Sequence, residues 1–234
     1  MHTAPDSASC RVAVLIPCFD EEATIAGVVA EFRAALPVAD IYVFDNASRD
    51  ESARRARDAG AHVVREPRRG KGHVVQAMLR TVDADVYVLV DGDGTYPAPA
   101  VTALMAPLLE GRADMVVGSR LHPAAVSDFD VLNRWGNRLF VVLVRLLFGI
   151  SVTDLLSGYR AFTRAFARGI CITSEGFQID TELTIRAVQA RFRVVETPVN
   201  LRRRPPGGHS KIRRTRDGLA IVRMMMALRR REPR

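Results

Sequence analysis

Short apolar runs punctuate the first half of the chain, at residues 12–16, 41–44, 62–64, 86–90 and 115–117. Each is β-branched and too short for a helix, so each predicts a buried strand. Helical patterns lie between most of them. Residues 22–36 put Ile25, Val28, Val29 and Phe32 on one face and end before Pro37, while residues 52–59, rich in Ala and Arg, stop at Gly60. Strand and helix in alternation predict an α/β domain with a parallel sheet. Ligands of such sheets gather beyond the carboxyl ends of the strands, where Asp20, Asp45 and Asp91 all fall. From Leu121 the rhythm changes: a long apolar helix is expected over 132–148, a loop over 154–160, a helix over 180–190 and a last one over 217–231. That last segment carries Leu219, Ile221, Val222, Met224, Met225, Met226 and Leu228. It is too short to span a bilayer and suits either packing on the core or lying on a membrane surface.

The run 86–90 opens directly into Asp91-Gly92-Asp93-Gly94-Thr95-Tyr96-Pro97. Side chains alternate within a strand, but past its end the glycines let both carboxylates turn toward one hard cation, which takes oxygen ligands and commonly binds substrate phosphates. Three other readings compete. An EF-hand loop needs Gly at its sixth position and Glu at its twelfth, where this chain has Tyr96 and Thr102, which excludes that kind of calcium site. The pattern also resembles the nucleophile motif of haloacid-dehalogenase-type phosphatases. Those enzymes carry it on their first strand and have a later Gly-Asp-x-x-x-Asp cluster; here three strand-like runs precede it and no such cluster follows. The last reading is a plain turn made of Asp and Gly.

Composition narrows the class. The 234 residues are 48% hydrophobic and 26% charged, which suits one globular domain with a sizeable core. We divide them into a tail (1–10), a main domain (11–216, with halves 11–120 and 121–216) and a C-terminal amphipathic helix with a basic tail (217–234). Three irregularly spaced cysteines fit a reducing cytoplasm. The first residues lack the basic and apolar regions of a secretory signal, and the longest apolar stretch, 139–150, is interrupted by Arg145 and too short to cross a bilayer. The net charge of +8 gathers toward the C-terminus, in Arg202-Arg203-Arg204, Lys211, Arg213-Arg214, Arg216 and Arg229-Arg230-Arg231. Without interleaved aromatics or a nucleic-acid-binding motif, these cations are expected to meet phosphates or anionic lipid head groups rather than nucleic acid.

The order and spacing of Ile16-Pro17-Cys18-Phe19-Asp20-Glu21-Glu22, Asp45-Asn46-Ala47-Ser48-Arg49-Asp50, Gly70-Lys71-Gly72 and Asp91-Gly92-Asp93 resemble family 2 glycosyltransferases of the GT-A fold. Gly118-Ser119-Arg120, Leu156-Ser157-Gly158-Tyr159-Arg160, Glu175-Gly176-Phe177-Gln178-Ile179-Asp180-Thr181-Glu182 and Gly208-His209-Ser210-Lys211 extend the likeness to the branch acting on polyprenyl or dolichyl phosphate, over residues 11 to about 218. The resemblance implies a three-layer α/β/α domain and an inverting, metal-dependent transfer from a nucleotide sugar.

What the resemblance implies about residues follows from the chemistry. The leaving group is a diphosphate, so Mg2+ or Mn2+ bridging its oxygens takes up the charge that grows as the sugar departs. Asp93 is expected as the direct ligand, with Asp91 assisting. Pro17, Asp20 and Glu21 are expected around base and ribose, Asp45 and Ser48 at the base edge or capping the next helix, and Lys71 near the nucleotide. Most relatives have Asn where Asp20 stands. In the acceptor half, Asp154, Asp180 and Glu182 are the candidate bases, Asp154 and Glu182 ahead, and Arg120, Arg134, Ser157, Arg160, Arg202 and Lys211 the candidate phosphate contacts. A hydroxyl acceptor needs a base, whereas a phosphate acceptor is already ionised. Dolichyl-phosphate mannose synthases carry an Arg and a Ser near the places of Phe129 and Asn133, which argues against that simple identity. Residues 202–211, with Gly207-Gly208 as hinge, are read as a basic lid over the diphosphate. UDP-GlcNAc is the preferred donor, ahead of UDP-glucose and GDP-mannose. The leading acceptor is polyprenyl phosphate, and the alternative a soluble hydroxyl. The expected place is the cytoplasm, with peripheral contact to the inner face of a membrane.

Overall fold

The computed structural model describes residues 10–125, 131–204, 211 and 214–230, the side chains of 131–135 and 214 excepted. The five apolar runs all form strands: β1 (Val12–Cys18), β2 (Asp40–Asp45), β3 (His62–Arg65), β4 (Val86–Leu89) and β5 (Met115–Ser119). Two further strands, β6 (Arg160–Thr163) and β7 (Val194–Pro198), complete a seven-stranded sheet ordered β3-β2-β1-β4-β6-β5-β7. Only β6 runs against its neighbours, β4 and β5. The loop expected over 154–160 therefore ends one residue early, because Arg160 opens a central strand. This strand comes from the second half of the sequence and separates two from the first, so one sheet knits both halves together.

The helices are α1 (Ile25–Ala35), α2 (Ser52–Asp58), α3 (Lys71–Thr81), α4 (Val101–Leu109), α5 (Val131–Phe148), α6 (Arg164–Gly169), α7 (Ile179–Gln189) and α8 (Arg214–Arg230). Two apolar layers sandwich the sheet. Val14 and Ile16 of β1 join Val28 and Phe32 of α1 and Leu104 of α4, whereas Ala13 and Leu15 join Val74 and Met78 of α3 and Leu183 of α7. That alternation is the period of two that a strand buried on both faces imposes. A third cluster joins Val144 of α5, Ile185 of α7 and Ile221, Met225 and Leu228 of α8. Of the two readings of α8, packing on the core is therefore what its buried face does, while Leu219 and Met226 stay exposed. Among the described residues no helix is long and apolar enough to cross a membrane.

Candidate functional site

Strands β1, β2 and β4 are parallel neighbours, so their carboxyl ends share one edge of the sheet. The loops there are laced together by side chains. The backbone N–H of Asp20 donates to Ser48 Oγ at 3.0 Å, that of Arg49 to Asp20 Oδ1 at 2.7 Å, and that of Glu21 to Ser52 Oγ at 2.7 Å. Asp20 adopts φ 49, the left-handed region where Asn and Asp are the usual non-glycine occupants. Asp suits that conformation as Asn would, the residue the resemblance leads one to expect at this position. Asp45 is buried and accepts from Ser48 N–H at 3.2 Å. At the start of α2 the N–H of Ser52 goes to Asp50 Oδ1 at 3.0 Å, so Asp45 is not the helix cap. Asn46 joins this edge to the next loop. Its amide donates to the carbonyls of Glu66 and Arg68, and its oxygen accepts from Gly70 N–H.

The Gly-Lys-Gly step is built for close approach. A Cβ on Gly70 would lie 2.2 Å from the Glu175 carbonyl oxygen, and one on Gly72 would lie 2.0 Å from that of Ser174. The glycines thus press the start of α3 against the 174–175 segment and drive Lys71 inward. Its buried ammonium lies 2.8 Å from Asp91 Oδ1 and 2.9 Å from Asp180 Oδ2. Burial alone would lower the Lys71 pKa, but the two carboxylates outweigh it and raise it, so this lysine stays charged. On the other side of Asp91, a Cβ on Gly158 would lie 1.9 Å from Oδ2, so only glycine fits there. Gly92 likewise packs under the Pro17 carbonyl, and this contact is where the structure puts Pro17.

Asp93 Oδ1 accepts from Thr95 N–H at 3.1 Å and Thr95 Oγ1 at 2.6 Å, and Oδ2 meets Arg204 Nη2 at 2.5 Å. Burial pushes its pKa up, yet these hydrogen bonds and the guanidinium hold it below the usual carboxylate range. Lys211 Nζ reaches Glu21 Oε1 at 2.5 Å and the Asp20 carbonyl at 2.8 Å. Asp91 and Asp93 offer hard oxygen donors, as a divalent cation such as Mg2+ requires. Among the described residues no group of three or more His, Cys, Asp or Glu could hold a metal. Two carboxylates with the remaining positions left to water and phosphate is the arrangement Mg2+ commonly takes in nucleotide enzymes, so the donor set fits such an ion.

The acceptor half departs from expectation. Asp154, fully buried, accepts from Arg120 Nε and Nη2 at 2.7 and 2.8 Å, and from Asn137 Nδ2 at 3.2 Å. Burial would raise its pKa, but Arg120 outweighs it and holds the carboxyl low, so it is a poor base. Glu182 is also fully buried, and its oxygens accept from the backbones of Thr173 and Ser174. It pins the segment before α7. Ser157 Oγ donates to the Gly118 carbonyl at 2.6 Å, and Arg160, buried throughout, donates to the carbonyls of Ser157 and Leu155 and to Thr184 Oγ1. Both hold the loop before β6, so neither presents a polar group to an acceptor. Arg202 donates its backbone N–H to the Thr95 carbonyl but turns its guanidinium to Glu31 of α1 at 2.7 Å, away from the diphosphate contact expected of it. The side chains of Arg134 and Asn133, Phe129 and the Gly207-Gly208 hinge lie outside the described residues.

Sequence reasoning passed over Arg204, Asn137 and Glu196, whose carboxylate accepts from the N–H groups of Thr153 and Asp154. Arg204 sits in a run of three arginines with nothing to single it out, and Asn137 and Glu196 belong to no motif. Asp180, expected with the other acids of the acceptor half as a possible base, instead holds Lys71 from the first turn of α7.

The profile of the family described as glycosyl transferase family 2 matches residues 13–170. Glycosyltransferase AglJ of Haloferax volcanii is 36% identical over 208 residues, covering 88% of this chain and 68% of the relative. A dolichyl-phosphate hexose transferase of the same organism is 31% identical, covering 90% of each chain, and an undecaprenyl-phosphate mannosyltransferase of Micrococcus luteus is 29% identical, covering 90% of this chain and 95% of that one. Among solved structures, glucosyl-3-phosphoglycerate synthase from Mycobacterium tuberculosis in complex with phosphoglyceric acid superposes with a TM-score of 0.80 at 22% identity, over 97% of this chain and 82% of that one. A second crystal of that synthase, holding Mn2+, UDP-glucose and phosphoglyceric acid, gives a TM-score of 0.77 at 23% identity, with the same coverage. At this identity the structures establish the GT-A fold, while the profile spans the strand ends that carry Asp20, Asp45, Asp91 and Asp93. On both grounds the chain belongs to glycosyl transferase family 2 and is a glycosyltransferase.

Proposed function

We propose that the enzyme transfers a sugar from a nucleotide sugar to a polyprenyl or dolichyl phosphate, with Mg2+ or Mn2+ at Asp91 and Asp93. One observation carries the choice of acceptor: Asp154, Asp180 and Glu182, the three acids of the acceptor half expected as possible bases, are each already engaged by a buried partner. No proton is waiting to be removed from a phosphate acceptor, and a site whose carboxylates are neutralised suits it. Bound metal supplies charge for the departing diphosphate. The loops carrying Asp20, Glu21, Asp45 and Ser48 hold base and ribose, and Lys71 fixes Asp91. Arg120, fixed by Asp154, and Arg134 in the first turn of α5 orient the acceptor phosphate. The named polyprenyl- and dolichyl-phosphate relatives support this reading, and the neighbour crystallised with UDP-glucose and Mn2+ supports a uridine donor, with UDP-GlcNAc our preferred sugar. A lipid acceptor also calls for membrane contact. The exposed face of α5 carries Leu139, Val142 and Leu146 beside Arg145 and no acid, which suits an anionic bilayer surface.

The test is transfer of labelled sugar from a panel of nucleotide sugars, with Mn2+, to short-chain polyprenyl phosphate or to water-soluble hydroxyl acceptors, with Asp93→Asn as the metal-site control. Label in the lipid product, lost in the control, is expected. Label only in a soluble product would overturn the acceptor, and undiminished transfer by Asp93→Asn in the presence of EDTA would overturn the metal role.

A further inference from the structure

The two acids of the motif are held by different kinds of cation. Lys71, on Asp91, is buried, belongs to a helix and is tied to Asp180 as well. Arg204, on Asp93, lies in a loop, with its side chain 30% exposed, and its Nε–H is buried without a hydrogen-bond partner. The first contact is fixed, while the second leaves a donor unsatisfied and is therefore readily exchanged. From this asymmetry we infer that Arg204 is the resident counter-cation of Asp93, that it gives up its place to the metal ion, and that once released it clamps the diphosphate.

The inference rests on the metal-dependent donor reading above. A guanidinium and a divalent ion compete for Asp93 Oδ2, so removing the guanidinium frees the acid for metal when no nucleotide is present. With the donor bound, the diphosphate offers paired oxygens to Nε and Nη2 together, so the hydrogen bond missing at rest is made only in the loaded state. Arg204 thereby differs from Arg202, which pairs with Glu31 on the outer side of α1. It differs too from Lys211, which pairs with Glu21 across the nucleotide loop.

The experiment measures Mn2+ binding to the full chain by the electron paramagnetic resonance signal of free Mn2+, with and without UDP, and turnover at saturating Mn2+. For Arg204→Ala we expect Mn2+ alone to bind about fivefold tighter, the scale of a lost partly exposed ion pair. Turnover should fall by roughly tenfold or more, as a transition-state donor is lost. Arg204→Lys, which keeps the charge but not the paired donors, should restore the wild-type Mn2+ affinity and only part of the turnover. Arg202→Ala removes the same charge and should leave Mn2+ affinity in the absence of nucleotide unchanged. If wild type takes up Mn2+ with UDP but Arg204→Ala binds Mn2+ no tighter than wild type or Arg202→Ala, the inference is overturned. If UDP promotes no Mn2+ uptake in wild type, it is the metal-dependent donor reading that falls.

Discussion

At the scale of residues, a carboxylate in a motif can be a base or an anchor, and burial decides which. Asp154 has no exposed surface and both its oxygens are taken, so its removal tests anchoring against catalysis. Asp154→Asn is expected to cost about 3 kcal/mol, since the buried Arg120 loses the carboxylate that takes two of its hydrogen bonds. Turnover per folded molecule should fall by less than roughly tenfold, whereas loss of a general base costs on the order of 10²–10⁴. Because Arg120 holds the Asp154 carboxyl below its ordinary value, the stabilisation it gives is present above the unfolded value of roughly 4. That stabilisation is lost as pH falls through the lower folded value. Acid unfolding of wild type and Asp154→Asn should therefore converge below about pH 4, and a constant gap between them would refute the assignment. The asymmetry in what could be read beforehand has the same root. Asp45, Asp91, Asp93 and Lys71 stand at strand ends or helix starts, where position alone exposes a residue's task. Glu182 and Arg160 carry the same chemistry inside the core, and nothing in their neighbours along the chain reports it.

At the scale of elements, the five strands with apolar runs were legible because a buried strand reads as an unbroken run of apolar, mostly β-branched residues, although β3, at the sheet edge, is only half-buried. β6 was not legible: Arg-Ala-Phe-Thr opens with a buried arginine, which donates to the carbonyls of Leu155 and Ser157 in the loop before it and to Thr184 of α7. β7, Val-Val-Glu-Thr-Pro, pairs on one side only and carries Glu196 for the 153–154 turn. The glycines were legible as pattern but not as reason. Gly158 precedes Tyr159 and β6, and its bare α-carbon receives Asp91. Gly158→Ala should push Asp91 off Lys71, at a stability cost of about 1–3 kcal/mol, and weaken Mn2+-dependent UDP binding by roughly tenfold or more. Gly136 of α5 offers the contrast, because a Cβ there meets nothing within 4 Å. Gly136→Ala should stabilise the helix by about 0.5–1 kcal/mol and leave nucleotide affinity unchanged. Calorimetric titration of both variants with UDP and Mn2+ separates the outcomes, and equal affinities would show that Asp91 does not depend on the space at Gly158.

At the scale of the whole molecule, the proposed lipid acceptor calls for a membrane-facing surface, and α5 and α8 carry most of the large apolar side chains left exposed. The net charge of +8 and its gathering toward the C-terminus were visible in composition, but which of those cations turn inward was not. Arg204 and Lys211 meet the motif acids, whereas Arg223 and Arg230 of α8 lie exposed along the same helix as Leu219 and Met226. On α5 the spacing of Leu139, Val142 and Leu146 puts three aliphatic side chains on one stripe, with Arg145 beside it. A stripe of that kind gains from insertion at the boundary of head groups and acyl chains, and each neighbouring arginine adds about 1 kcal/mol on an anionic surface. The chain should sediment with vesicles containing phosphatidylglycerol more than with neutral ones, and salt should weaken that binding through screening. Leu146 is 77% exposed, so Leu146→Glu leaves the core untouched while placing a charge against the bilayer. We expect it to reduce vesicle binding by roughly tenfold and transfer to polyprenyl phosphate in parallel, with Mn2+-dependent UDP affinity unchanged. Vesicle binding that survives both this substitution and high salt would mean that another surface makes the contact.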